Sequence, residues 1–127
     1  MWFDMFFKPI SSEQELLRGT GWVDVRDVAE AHVVALEKEE GGDERIIVSA
    51  SSVPRQEFIE AAKRAAILLG IQGVQMGVPN YDPAEAKDFV RFNEEKRDRI
   101  LGIKITSVDD SVRDAIADFK ERGWLRA

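Results

Sequence analysis

The sequence predicts an α/β fold in which short strands alternate with three main helices. Helical patterns cover residues 27–39, 54–69 and 107–121, and β-branched or aromatic runs lie near Trp22 and Ile46. Alternation of helix-period and strand-period segments is typical of domains in which helices cover a small sheet. A chain of 127 residues is long enough to form one domain that buries its own core.

The composition excludes several classes of function. Hydrophobic residues make up 44% of the chain and charged residues 33%, which predicts a soluble globular protein. The net charge of -6 leaves no basic stripe for a phosphate backbone, so nucleic-acid binding is not expected. The absence of cysteine excludes disulfides and thiolate chemistry and predicts a cytoplasmic location. With His32 as the sole histidine, a multi-histidine metal site cannot form.

The apolar start of the chain, MWFDMFFKPI, predicts neither a targeting segment nor a membrane span. Asp4 interrupts the run and Pro9 ends it, well short of the roughly 20 apolar residues that cross a bilayer. Five apolar side chains nevertheless place unusual apolar area at this end of the chain: Trp2, Phe3, Met5, Phe6 and Phe7. We expect them to pack either against this domain or against a partner, because such a patch is unfavourable in water.

The stretch GWVDVRDVAEAHVVALEKEE, residues 21–40, predicts a strand followed by a helix. The apolar residues from Trp22 onward predict the strand. Asp27 and Glu30 have the spacing of an N-terminal capping pair, and a wide apolar face follows as far as about Glu39.

A second strand and a second helix are predicted next. The segment ERIIVSA, residues 44–50, is short and β-branched and predicts a buried strand. Pro54 suits the first turn of the helix that follows, and Gly70 ends that helix. The glycines and prolines from Gly70 to Pro83 predict an extended connection.

The C-terminal third predicts an extended segment and two capped helices. Residues 89–92, FVRF, predict a short strand or at least an extended segment. Asn93 is the predicted cap of a short helix that Gly102 closes, and Thr106 or Ser107 opens the final helix.

Two local patterns lack the spacing that cofactor chemistry needs. The glycines of GIQGVQMG, residues 70–77, follow a helix, whereas a phosphate-binding loop follows a strand and opens a helix. Tyr81 and Lys87 are too far apart, with Pro83 between them, to share one helix face as a catalytic pair. The sequence therefore predicts a flexible connection here and no Tyr–Lys catalytic pair.

The remaining charged candidates are predicted to be structural. His32 lies beside the apolar face of its helix, and we expect a packed or half-buried imidazole rather than a general base. We expect Asp24, Arg26 and Asp27 to stabilise the strand-to-helix joint. Four carboxylates of the last helix suit its N-terminus or a solvated face rather than a metal site: Asp109, Asp110, Asp114 and Asp118. These residues predict no catalytic, cofactor-binding or metal-binding site.

Two stretches together resemble a known family. They are GWVDVRDVAEAHVVALEKEEGGDERIIVSASSVPRQEF and VRFNEEKRDRILGIKITSVDDSVRDAIADF, and they span roughly residues 21–119. Both are similar to the C-terminal part of extended short-chain dehydrogenase/reductases, in the epimerase/dehydratase superfamily. Within it they most resemble the dihydroflavonol-reductase and fungal ketoreductase or aldehyde-reductase branch. We therefore expect residues 21–127 to form a substrate-binding region and residues 1–20 to be a poorly matched segment.

The resemblance implies an oxidoreductase that uses NADP or NAD and whose catalytic parts are not in this chain. Such enzymes carry an N-terminal Rossmann domain with a glycine-rich cofactor loop, and a Tyr-x-x-x-Lys motif in which the Lys lowers the pKa of the proton-donating Tyr. Neither motif occurs in these 127 residues, and Tyr81 lies in the wrong region to be carried over. Sugar-nucleotide relatives place a diphosphate-binding Arg where this chain has Thr20, with Arg18 out of register, which favours small carbonyl substrates.

The resemblance thus implies a truncated reductase of small aldehydes or ketones, inactive and without bound cofactor as this chain alone. The alternative is a non-catalytic module that associates with itself or with a full-length relative through an exposed apolar face, including Trp2, Phe3, Phe6 and Phe7. Neither a nucleic acid nor a membrane is an expected partner.

Overall fold

The described residues, 2–9, 12–86 and 89–125 of a computed structural model, form a mixed α/β structure, which confirms the predicted fold class. The α-helices are α1 Trp2–Phe7, α2 Glu13–Leu16, α3 Val25–Glu37, α4 Arg55–Leu69 and α5 Val108–Glu121. The strands are β1 Gly19–Trp22 and β2 Ser51–Pro54. Short 3₁₀ turns lie at Glu39–Gly41 and Pro83–Glu85, and a π-helix lies at Arg97–Leu101. The three main helices therefore lie where the sequence predicts them.

The described residues divide into two compact units. The first unit takes those within ranges 1–20, 53–89 and 107–127, and the second takes those within 21–52 and 90–106. Within the described part of the chain, no helix has the length and apolar character needed to cross a membrane.

Strands β1 and β2 form a two-stranded sheet. The amide of Ala50 donates to the carbonyl of Trp22 at 2.8 Å, and the amide of Arg55 donates to that of Arg18 at 3.4 Å. Residue numbers rise along one strand as they fall along the other, so the pair is antiparallel. The strand predicted near Trp22 is confirmed, although it ends at that residue rather than beginning there.

Two other predicted strands are wrong. Residues 44–50 form no strand: Ala50 alone bonds to the end of β1, and the carbonyl of Ser49 accepts a hydrogen bond from the buried guanidinium of Arg97. Residues 89–92 form no strand either, and both of their phenylalanine rings are partly exposed. β-Propensity reports how well a residue suits a pleated surface, but a strand also needs a neighbouring backbone, which local sequence does not reveal.

The first unit packs around α4. The buried side chains of this helix include Phe58, Ile59, Ala61, Ala62, Ala65 and Ala66. Helix α5 packs against α4, and its side chains Val112 and Ile116 are fully buried. Alanine side chains leave room for a second helix to approach closely, so this row of small residues suits the contact. Gly70 ends α4, as predicted, and its amide donates to the carbonyl of Ala66.

The aromatic N-terminus packs within the first unit. Phe6 is completely buried, and the ring of Trp2 lies 5.7 Å from the ring of Phe58. The ring of Phe3 lies 5.6 Å from that of Phe119, in an edge-to-face arrangement that aromatic pairs favour. Of the two expected locations for these side chains, the structure shows packing within the chain itself. Phe6 therefore offers no exposed surface for association.

The second unit contains a small core that joins α3 to the π-helix. Ala31 of α3 is buried together with Ile100 and Leu101. The ammonium group of Lys38 donates to the carbonyl of Ile100 at 2.9 Å and to that of Leu101 at 3.2 Å. Carbonyl groups at the end of a helix lack partners within it, so this lysine satisfies them and places positive charge where it is favourable.

The predicted caps of the last two helical segments are confirmed. The side-chain oxygen of Asn93 accepts from the amide of Glu95 at 3.0 Å. Gly102 closes that segment. The hydroxyl of Ser107 accepts from the amide of Asp110 at 3.1 Å, which makes Ser107 rather than Thr106 the cap of α5.

Gly77 is required by the side chain that packs against it. Its φ of 69° lies in the left-handed region, and a Cβ atom at this position would come within 2.3 Å of Oε1 of Gln56. That oxygen accepts a buried hydrogen bond from the amide of Val78 at 2.9 Å. Gly77, which lies in the predicted connection, therefore allows the backbone to approach the Gln56 side chain closely.

We expect Gly77→Ala to lower the free energy of unfolding by about 1–3 kcal/mol more than Gly73→Ala. Gly73 is the matched control because its φ is 88° and a Cβ there meets no atom within 4 Å, so its substitution adds backbone strain alone. Denaturant unfolding followed by tryptophan fluorescence measures both. Equal losses for the two variants would show that Gln56 does not restrict position 77.

Candidate functional site

Asp24 caps the N-terminus of α3, at the joint between β1 and that helix. Its Oδ1 accepts from the amide of Arg26 at 2.8 Å and from Nε of the same residue at 2.9 Å. Its Oδ2 lies 2.9 Å from Nη2 of Arg26. A carboxylate at this position satisfies free amide groups and is stabilised by the helix dipole. The predicted cap, Asp27, is therefore wrong, because α3 begins before that residue.

Asp27 instead binds a distant segment. Its side chain is 2% exposed, Oδ2 accepts from the amide of Thr106 at 2.8 Å, and Oδ1 accepts from the Thr106 hydroxyl at 2.6 Å. A buried carboxylate is tolerated when hydrogen bonds replace its water, and both oxygens are bonded here. Asp24 and Arg26 bond to each other at this joint as predicted, whereas Asp27 does not hold the joint and instead joins α3 to Thr106.

The sole tyrosine is bonded to a carboxylate. The hydroxyl of Tyr81 donates to Oε1 of Glu57 at 2.9 Å, and the ring packs on a buried cluster that includes Ile59 and Val78. Burial, followed by this hydrogen bond and the charge of Glu57, raises the pKa of Tyr81 above its ordinary value. The family's proton donor needs a lowered pKa, so this environment is unlike a catalytic one. Lys87, the other member of the tested pair, lies outside the described residues.

His32 is exposed, which corrects the expected half-buried position. Its Nδ1 donates to the carbonyl of Val28 at 2.7 Å. The imidazole follows Ala31, which points into the core, and one helical step of about 100° turns the next side chain toward solvent. The structure therefore gives His32 a local hydrogen bond and no catalytic partner among the described residues.

The carboxylates of α5 are paired with arginines on an exposed face. Asp109 pairs with Arg64, Asp110 and Asp114 pair with Arg113, and Asp118 pairs with Arg122. These pairs confirm the solvated face that the sequence predicts. In the described ranges, no group of three His, Asp or Glu side chains converges as metal ligands would.

Two buried polar residues are absent from the sequence-based candidates. Gln56 is completely buried, and its Nε2 donates to Glu60 at 2.6 Å. Arg97 is also buried and pairs with Asp98 at 2.7 Å and with Glu94 at 3.3 Å. The acidic neighbours of Arg97 are visible in the sequence, but its burial depends on the carbonyl of Ser49 to which it donates.

Comparisons with known proteins relate this chain to reductases, although no family profile matches it. A Candida albicans protein named as an NADPH-dependent methylglyoxal reductase is 32% identical over 103 residues, which cover 77% of this chain and 29% of that protein. This chain is homologous to the C-terminal portion of the extended short-chain dehydrogenase/reductases. The resemblance carried by the two quoted stretches is therefore confirmed.

A yeast reductase supports the relationship both by sequence and by structure. The NADPH-dependent methylglyoxal reductase of Saccharomyces cerevisiae is 28% identical over 95 residues, or 74% of this chain and 27% of that protein. The crystal structure of yeast methylglyoxal/isovaleraldehyde reductase with NADPH matches with a TM-score of 0.67 and 27% identity. That match covers 83% of this chain and 31% of the reductase. The chain thus spans less than a third of the length of the reductases that it matches.

We expect Asp27→Ala to lower the free energy of unfolding by about 2–4 kcal/mol, because it leaves the amide and hydroxyl of Thr106 without their acceptor. Thr106→Val removes the hydroxyl alone and is expected to cost about 1–2 kcal/mol. In the double variant the losses should not add, since both substitutions remove the same contact. Denaturant unfolding measures all three, and full additivity would contradict a direct interaction in solution.

We expect the phenolate absorbance of Tyr81 to appear at a pH above the ordinary midpoint of about 10. Because the folded state holds this proton more tightly, its stabilising contribution is present below that pH and is lost as the pH rises through the folded-state pKa. Tyr81 is the sole tyrosine, so spectrophotometric titration reports it alone. Glu57→Gln should move the midpoint downward, and a wild-type midpoint at or below the ordinary value would contradict the observed environment.

Proposed function

We propose that this chain is the substrate-side part of a reductase that transfers hydride from NADPH to a small aldehyde or ketone. The observation that carries the proposal is the match to the NADPH-bound yeast methylglyoxal/isovaleraldehyde reductase, with a TM-score of 0.67. The Candida and Saccharomyces relatives are both named for NADPH and methylglyoxal, which supports NADP as the cofactor of the complete enzyme. Thr20, in place of a diphosphate-binding Arg, agrees with a small carbonyl substrate.

The proposal assigns residues 21–127 to the substrate-binding region of the family and leaves residues 1–20 as a less well matched segment. The two quoted stretches of resemblance both fall within the first of these ranges. A cytoplasmic location stays a prediction that rests on the absence of cysteine.

We further propose that these 127 residues have no reductase activity on their own. Hydride transfer needs a bound nicotinamide and a proton donor at the reacting carbonyl. Tyr81 is hydrogen-bonded to Glu57 and its pKa is raised, so it is poorly suited to donate a proton. Only Val23 and Asp24 lie between β1 and α3, and β2 leads directly into α4, so neither connection is a glycine-rich loop for a dinucleotide phosphate.

A chimera tests the proposed role directly. In the Candida reductase, the matching C-terminal 103 residues are replaced by the corresponding part of this chain. We expect the chimera to oxidise NADPH in the presence of methylglyoxal or isovaleraldehyde. The same reductase without its C-terminal part should show no turnover because it lacks the substrate-binding region. This chain alone should show none because it lacks the cofactor site and the proton donor.

The outcome distinguishes the two parts of the proposal. Turnover by the purified 127-residue chain would contradict its proposed inactivity. A folded chimera that binds NADPH but reduces none of these carbonyl compounds would contradict the proposed substrate-side role. Tryptophan fluorescence quenching on addition of NADPH reports binding separately from activity.

A second candidate is a non-catalytic module that associates through an apolar surface. The observation in its favour is an exposed row on α3, where Val25, Val33 and Leu36 are 78%, 55% and 89% exposed. Their spacing places them on one side of the helix, opposite the buried Ala31. Size-exclusion chromatography with light scattering tests it: a stable dimer that Leu36→Glu dissociates would favour this candidate, and a monomer would contradict self-association.

A further inference from the structure

A surface cavity of about 390 Å³, open to solvent and lined by exposed side chains, lies on the second unit. Its lining residues are Arg45, Ile47, Asn93, Glu95, Lys96 and Arg99. Cavities that bind small molecules measure roughly 300–1,000 Å³, so the volume is sufficient for a small organic ligand. None of these residues enters the proposed reductase chemistry.

The two walls of the cavity come from different segments. Arg45 and Ile47 belong to the extended residues 44–50, and they point to the same side because side chains alternate along an extended chain. Lys96 and Arg99 are three residues apart in the helical segment, which places them on neighbouring positions of one face. The walls thus present one row of side chains each.

Two polar contacts hold these walls together. Lys96 forms an ion pair with Glu44, and Arg97 donates to the carbonyl of Ser49. Arg97 is buried and is itself fixed by Asp98 at 2.7 Å. The buried Arg97 contact therefore holds together the two segments whose side chains line the cavity.

The cavity carries excess positive charge in an acidic protein. Among the described residues, neither Arg45 nor Arg99 forms a hydrogen bond or an ion pair, although Arg99 acts electrostatically on Glu44. The lining thus contains three cations, Arg45, Lys96 and Arg99, and one carboxylate, Glu95, while Lys96 is also paired with Glu44 outside the lining. Unpaired guanidinium groups bind carboxylate or phosphate through parallel charge-assisted hydrogen bonds.

We propose that this cavity binds a small organic oxyanion, with Arg45 and Arg99 on its charged group and Ile47 against its apolar body. The charged group is a carboxylate or a phosphate monoester, since both match the guanidinium geometry. The side-chain oxygen of Asn93 already accepts from the amide of Glu95, so its NH₂ group is the part that can donate to the ligand. No residue of this site is assigned a part in the proposed hydride transfer.

The test is isothermal titration of the 127-residue chain with phenyl phosphate and with benzoate, in buffer without NADPH. We expect saturable binding of one probe per chain, weakened about tenfold or more by Arg45→Gln and by Arg99→Gln, since each loses a charge-assisted hydrogen bond. Arg91→Gln is the matched control, because Arg91 is exposed and lies outside the cavity lining. Circular dichroism verifies that each variant is folded.

The relative affinities of the two probes identify the ligand chemistry. Tighter binding of phenyl phosphate assigns the site to phosphate monoesters, and tighter binding of benzoate assigns it to carboxylates. Absence of saturable binding by either probe would overturn the proposal. Equal weakening by Arg91→Gln would also overturn it, because general charge attraction would then explain the binding. Neither result bears on the reductase proposal, since no cofactor or carbonyl reduction is measured.

Discussion

The second unit depends on a buried carboxylate that joins two segments 79 residues apart in sequence. Asp27 accepts both the amide and the hydroxyl of Thr106, so the first turn of α3 is fixed to the chain that follows the π-helix. A carboxylate buried without such partners is strongly unfavourable, which makes the two segments dependent on each other. Both segments lie in the stretches that resemble reductases. The helix that begins at the joint is therefore a point where distant segments of the second unit meet.

The two units are stabilised by different kinds of contact. In the first unit, the alanine-rich face of α4 and the rings of α1 bury apolar area, and removing such side chains costs transfer free energy and leaves cavities. In the second unit, Asp27, Lys38 and Arg97 bond to backbone groups of other segments. Polar contacts of this kind depend strongly on geometry, so they specify where segments meet more than how stable the unit is.

The helices were predictable from sequence because their signals are local. The apolar period of α4, its end at Gly70 and the cap Ser107 all act within one or two helical turns. Features that depend on a distant neighbour were not predictable. Residues 44–50 have the composition of a strand but form none in the structure, and the burial of Arg97 depends on Ser49. The sequence lacks the motifs that the resemblance leads one to look for and so predicts no catalytic residue, whereas the cavity was visible only in the fold.

The extended residues 44–50 have a consequence for how the protein behaves at high concentration. Among the described residues, the backbone of 44–48 bonds to no other backbone segment, and a β-branched segment of this kind can template the addition of a strand from another molecule. Natural proteins discourage such addition by placing charged side chains on the open edge. Arg45, exposed in this segment, is suited to that protective role. Its charge would then keep separate copies from joining through their backbones, and concentrated preparations in which it is neutralised would be prone to β-rich aggregation.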